Sequence, residues 1–170
     1  MKMKRIFLLT VLVGLFGSII FGQTKDKTPN KKSEKTKMEK QFIKPADVFP
    51  GKGYSHAISV SGGRTIYVAG QIALNQKGEL VGKDDIRAQT QQVFENIRAV
   101  LAASDANFAD VVKISYYIKN FNPSFLPAIR EVRDSFLPKD QPPPTSTLIG
   151  VETLFRDDVL IEIECVAVVK

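Results

Sequence analysis

Residues 159–169, VLIEIECVAVV, constrain the fold more than any other stretch of the chain. Aliphatic and β-branched residues dominate it and no glycine or proline interrupts it, so it reads as one long strand with side chains alternating between two faces. One face carries Val159, Ile161, Ile163, Cys165 and Ala167 and is wholly apolar. The other carries Leu160, Glu162, Glu164, Val166 and Val168. An apolar face needs a cover of helices. A half-apolar face with two acids cannot be sealed into a core, because unpaired carboxylates are costly to bury. The expected architecture is therefore a sheet with helices on one side, its second face left for water, a ligand or another subunit.

The remaining elements fit that frame. SHAISVSGGRTIYVAGQI alternates on both sides of Gly62-Gly63 and predicts a hairpin with strands near 55–61 and 64–70. Asp84 or Asp85 can cap a helix running to about Ser104, with Ile86, Thr90, Val93, Ile97, Val100 and Leu101 inward. DVVKISYYIKN predicts a strand from Val111 to Lys119, and Asn122-Pro123 opens a second helix ending near Phe136, with Phe125, Ile129, Val132 and Phe136 inward. Pro142, Pro143 and Pro144 exclude helix and mid-sheet strand, and form a stiff lead-in to a strand near 145–151. The order is ββαβαββ: an α/β (α+β) arrangement with one sheet and both helices on one face.

The 170 residues carry a net charge of +6, but unevenly. Ten of the 24 basic residues and only three of the 18 acidic ones precede residue 41, leaving 14 against 15, about −1, for residues 41–170. The basicity belongs to the N-terminal segments, and nucleic acid is not an expected partner of the domain. Residues 1–22 have a cationic start and an apolar run from Ile6 to Phe21, the layout of an exported signal peptide cut after Gly22, or else of an uncleaved anchor facing outside. The chain then touches membrane only if the leader stays. Residues 23–41 hold one apolar residue, Met38, and read as a disordered lysine-rich linker before a domain at 42–170. A single cysteine, Cys165, allows no internal disulfide.

Candidate chemistry is sparse. Glu162 and Glu164 lie roughly 7 Å apart on one strand face. Glu162 is the candidate general base, and Glu164 a structural carboxylate paired across strands with Lys or Arg. His56 is the only histidine, so no histidine metal cluster forms; it shares a strand face with Tyr54, and the pair could line one pocket wall. Cys165 faces the helices as a buried thiol. No phosphate loop, dinucleotide fingerprint or zinc spacing is present, and no cofactor or metal is expected.

Taken together, GYSHA (Gly53–Ala57), VAGQI with Gly70-Gln71, DIRAQTQQVFENIRAVL, DVVKISYYIKN, PPPTST and IEIECVAVV resemble the RidA family of enamine/imine deaminases, from about residue 42 to the end. The resemblance implies a chorismate mutase-like fold, a homotrimer whose sheets form a central barrel, and small-molecule clefts between subunits. It implies hydrolysis of 2-imino acids, with Tyr54 closing the cleft, Glu162 positioning water, and Gly70 and Gln71 as the backbone lip of the cleft; Ser146 and His56 are further candidate substrate contacts. The family's carboxylate-clamping arginine falls on Thr145, and a further asparagine on Ile129. A threonine cannot replace a guanidinium's bidentate grip. The expectation is an altered substrate or weak activity, with Arg64 as one alternative clamp, or a non-enzymatic metabolite-binding or scaffold trimer at the cell envelope.

Overall fold

The computed structural model describes residues 37–170. The leader and residues 23–36 of the lysine-rich segment lie outside them. The domain is built on a four-stranded mixed sheet in the order β3-β6-β4-β5, formed by β3 (Arg64–Gln71), β6 (Ile161–Val169), β4 (Val111–Lys119) and β5 (Thr145–Val151). β6 runs antiparallel to both neighbours, and β4 and β5 are parallel. The long alternating segment thus lies inside the sheet, where its apolar face meets most of the core.

Helices α1 (Ile86–Ala102) and α2 (Leu126–Phe136) complete that core. Asp85 caps α1, its carboxylate accepting from the backbone N–H groups of Arg87 and Ala88. The buried stripe of α1 is Gln89, Thr90, Val93, Phe94, Ile97 and Leu101. Val100, expected inward, is 36% exposed. The stripe is rotated toward Phe94 because that ring packs with Phe136 at 5.2 Å and Phe108 at 5.7 Å between centroids, an aromatic cluster at one end of the core. Asn122 accepts from the Ser124 N–H as expected, but Pro123–Phe125 form a 3₁₀ turn before α2 begins. Ile129 and Val132 are buried, with Phe125 and Phe136 packed half-buried beside them.

Two expectations need correction. Gly62 and Gly63 do turn the chain, with φ of +68° and +82°, but the flanking strands are not a paired hairpin. β2 (Ala57–Ser61) pairs instead with a strand not foreseen, β1 (Glu39–Ile43), as a separate two-stranded sheet, while β3 joins β6. The single sheet of the sequence reading is therefore two. A Cβ on Gly63 would stand 2.6 Å from the Val169 carbonyl, so the turn is seated against the end of β6. Second, β1 occupies residues 39–41, which had been assigned to the linker. Its polar sequence EKQFI hides an alternation in which Lys40 and Phe42 are half-buried and the Lys40 ammonium donates to the Ala109 carbonyl at 2.8 Å.

Under the helices lie Val68, Ile114, Tyr116, Ile118, Ile161, Ile163, Cys165 and Ala167. Burial pushes the Cys165 thiol up to about 12. Cys165 is accordingly expected to resist a thiol reagent at pH 8 in the native protein and to react once the chain is unfolded; rapid native labelling would contradict its place in the core.

On the opposite face no element among the described residues covers Tyr67, 81% exposed, or Ile149, 41% exposed. Glu162 and Glu164 project there, as the alternation of β6 predicts. Among the described residues Glu164 has no lysine or arginine partner, contrary to expectation: it accepts from the Tyr117 hydroxyl at 3.2 Å. The register sets Ser115 opposite Glu164 and Tyr117 opposite Glu162, which brings the tyrosine to Glu164 along the diagonal.

Candidate functional site

The triple proline leads directly into β5, and the segment that carries Tyr54 is fastened to it. The Ser55 N–H donates to the Pro144 carbonyl at 3.1 Å, and its hydroxyl to the Pro143 carbonyl at 2.5 Å. Prolines lack a donor but keep a carbonyl, so a rigid row of them offers acceptors at fixed positions. Gly53, at φ +80°, is held from the other side: the Arg133 guanidinium donates to its carbonyl at 3.2 Å, and a Cβ there would stand 2.8 Å from a guanidinium nitrogen. Arg133 also pairs with Asp134 at 2.7 Å, which offsets its charge. The result is a stiff mount for Lys52 and Tyr54.

Between this mount, α2 and β5 opens a cleft of about 220 Å³. Tyr54, Ser146 and Ile129, all marked by the sequence, line it. So do Leu126 and Leu148, and four residues that pattern reasoning did not single out: Lys52, Tyr116, Arg130 and Arg133. Tyr116 is 3% exposed, and its hydroxyl finds no hydrogen-bond partner among the described residues. Burial holds that phenol far above its ordinary pKa, so it stands as a neutral donor. The Lys-Gly-Tyr and Ile-Arg-Glu-Val-Arg segments gave no motif. The available signal was the placing of Arg130 and Arg133 three apart on one face of α2.

Glu162 lies elsewhere. It projects from the uncovered sheet face, whereas Ser146 and Leu148, opposite Ile114 and Tyr116 in the register, face the helices. Its carboxylate is seated on Gly70, at an irregularity of β3 between Val68 and Gln71. A Cβ at residue 70 would overlap the carboxylate Oε1 and stand 2.8 Å from Cδ. The Gln71 amide turns back onto the Ala69 carbonyl at 3.1 Å.

Thr145 heads β5 with its hydroxyl committed to the Val112 carbonyl at 2.9 Å. His56 stands edge-on to Tyr54 with ring centroids 5.4 Å apart, but its Nε2 contacts the Phe49 carbonyl at 2.9 Å, and it is not part of the cleft lining. Arg64 reaches the Ser104 carbonyl at 2.9 Å. The predicted residues thus fall into two groups on opposite faces of the sheet: Tyr54 and Ser146 at the cleft, and Glu162 with Gly70 on the open face.

The family model described as Endoribonuclease L-PSP matches residues 46–169. A 2-iminobutanoate/2-iminopropanoate deaminase of Dermatophagoides farinae is 38% identical over 117 residues, covering 69% of this chain and 86% of the relative. Among solved structures, a Rid-family protein of unknown function, YyfB of Yersinia pestis, aligns with a TM-score of 0.71 at 39% identity, over 76% of this chain and 98% of that one. Escherichia coli TdcF with bound serine aligns with a TM-score of 0.55 at 29% identity, over 62% and 81%.

Proposed function

Because the chain belongs to the endoribonuclease L-PSP family, the RidA family, we propose that it is a small-molecule hydrolase acting on 2-imino or enamine acids, with a site completed between the subunits of a homotrimer. The observation that carries the reading is the Glu162 carboxylate, packed closely against Gly70 on the sheet face that points away from its own core. In that position it can accept a hydrogen bond from water. Water adds to the imine carbon and passes a proton toward nitrogen; the carbon–nitrogen bond then breaks, leaving a 2-oxo acid and ammonia. Glu162 orients the water and carries the proton.

Two faces of one protomer cannot enclose one ligand. The uncovered sheet face, with Tyr67, Ile149 and Val166, supports packing against a second copy, which would bring one subunit's Glu162 over another subunit's Tyr54 cleft. The apolar leader supports export, so the domain works outside the cytoplasm, free or anchored.

The test is steady-state hydrolysis of 2-iminopropanoate and 2-iminobutanoate by the full chain, read as 2-oxo acid release. Turnover above the uncatalysed rate is expected; its absence would overturn the reading. One observation favours a second reading, a metabolite-binding or scaffold trimer at the cell envelope: Thr145 stands at the clamp position with its hydroxyl already engaged. That reading requires ligand binding without turnover.

A further inference from the structure

The cleft between α2 and β5 holds an unused donor and unused charge. Its lining has three cations, Lys52, Arg130 and Arg133, and no carboxylate. Arg133 is offset by Asp134, but among the described residues neither Lys52 nor Arg130 has an acidic partner within salt-bridge distance. Below them the Tyr116 hydroxyl is buried without an acceptor. A buried hydroxyl with no partner carries a desolvation cost that native proteins seldom leave in place, unless something else supplies the acceptor. Leu126, Ile129 and Leu148 supply apolar wall, and about 220 Å³ falls below the range of drug-sized pockets and suits a small metabolite.

We infer that this cleft binds a small aliphatic carboxylate, gripped by Arg130 with Lys52 at the mouth and by the Tyr116 hydroxyl donating from the floor. The inference rests on the cleft being the ligand site proposed above, and it moves the anion grip from the head of β5 to α2. Where Thr145 offers no charge, Arg130 offers a guanidinium with several donors, and the phenol adds a directional bond that neither cation provides. Ile129 keeps the wall beside Arg130 apolar, which strengthens the attraction by excluding water.

The experiment is calorimetric titration of the full chain with three probes: 2-oxobutanoate, its neutral amide, and inorganic phosphate. The acid is expected to bind at least about tenfold more tightly than the amide and than phosphate. Arg130→Ala should weaken the acid by about tenfold or more, with part recovered in Arg130→Lys. Tyr116→Phe should weaken it severalfold while leaving the melting temperature unchanged or higher, a combination that a merely structural tyrosine would not give. Equal binding of acid and amide would overturn the inference, as would phosphate binding as tightly as the acid, or affinities indifferent to both substitutions. Binding is read without turnover, so the two proposals fail separately. Arg130-dependent binding in a chain that hydrolyses nothing keeps the grip and removes the hydrolase; turnover with Arg130-independent binding does the reverse.

Discussion

Glu162→Gln is expected to lower imine turnover by roughly 100- to 10,000-fold, the range spanned by loss of a positioned acid–base group. The amide keeps the shape and one acceptor oxygen but cannot take a proton. Carboxylate affinity in the α2–β5 cleft should fall by no more than about threefold, because Arg130, Lys52 and Tyr116 make the anion grip and Glu162 is no part of it. Turnover retained within tenfold would show that Glu162 is a surface carboxylate and would remove it from the mechanism.

A companion substitution separates position from chemistry. In Gly70→Ala the carboxylate is intact, but the new methyl would overlap the seat of Oε1, and the side chain must swing away. The φ of Gly70 is not in the left-handed region, so alanine brings steric displacement with little backbone strain. A displacement near 1 Å in a reacting group can cost on the order of 100-fold, so Gly70→Ala should lose about that much at nearly unchanged stability. If Gly70→Ala were as active as the parent, the contact with Glu162 would have no bearing on the reaction.

The reach of the sequence reading follows from where the determinants are local. β4 and β5 fall at their expected ends because a β-branched run and a triple proline mark them within a few residues. The two faces of β6 emerged correctly for the same reason: alternation is a nearest-neighbour property. What escaped depended on distant partners. β1 exists through β2 and a buried lysine stem, neither of which its own composition announces. The pairing of β2 with β1 and of β3 with β6 is likewise set by partners that the hairpin pattern of the two strands does not announce. At the site, resemblance marked Tyr54, Ser146 and Glu162 by position. It had no means of marking Lys52, Tyr116 and Arg130, whose meeting is set by the packing of α2 beside β5. The faces also explain why a list of site residues is not a site: alternation and register place Glu162 on the face opposite the cleft of its own protomer.

Gln89 shows the same limit inside the core and carries the largest expected effect on stability. A helical stripe chosen by hydrophobicity passes it over, yet it is fully buried in α1 beside Thr90 and Val93. Its amide nitrogen donates to the carbonyls of Gly82 at 3.1 Å and Asp158 at 2.9 Å, and its oxygen accepts from the Leu160 N–H at 2.8 Å. One side chain thereby satisfies three backbone groups: at the loop entering α1, at the turn before β6, and at the start of the last strand. Gln89→Leu preserves volume but leaves the Asp158 carbonyl and the Leu160 N–H without their partner, while the Gly82 carbonyl keeps its bond from the Asp85 N–H; the cost is about 1–3 kcal/mol for each group left unpaired. The expected loss is at least ~2 kcal/mol, read as a lowered midpoint of denaturant unfolding at an unchanged slope. A loss below about 1 kcal/mol would mean that water reaches those backbone groups and that the tie is replaceable. The same turn leads into the strand that carries Glu162 two residues later, so a severed tie should also loosen that carboxylate, and Gln89→Leu should lower turnover even at temperatures where the protein remains folded.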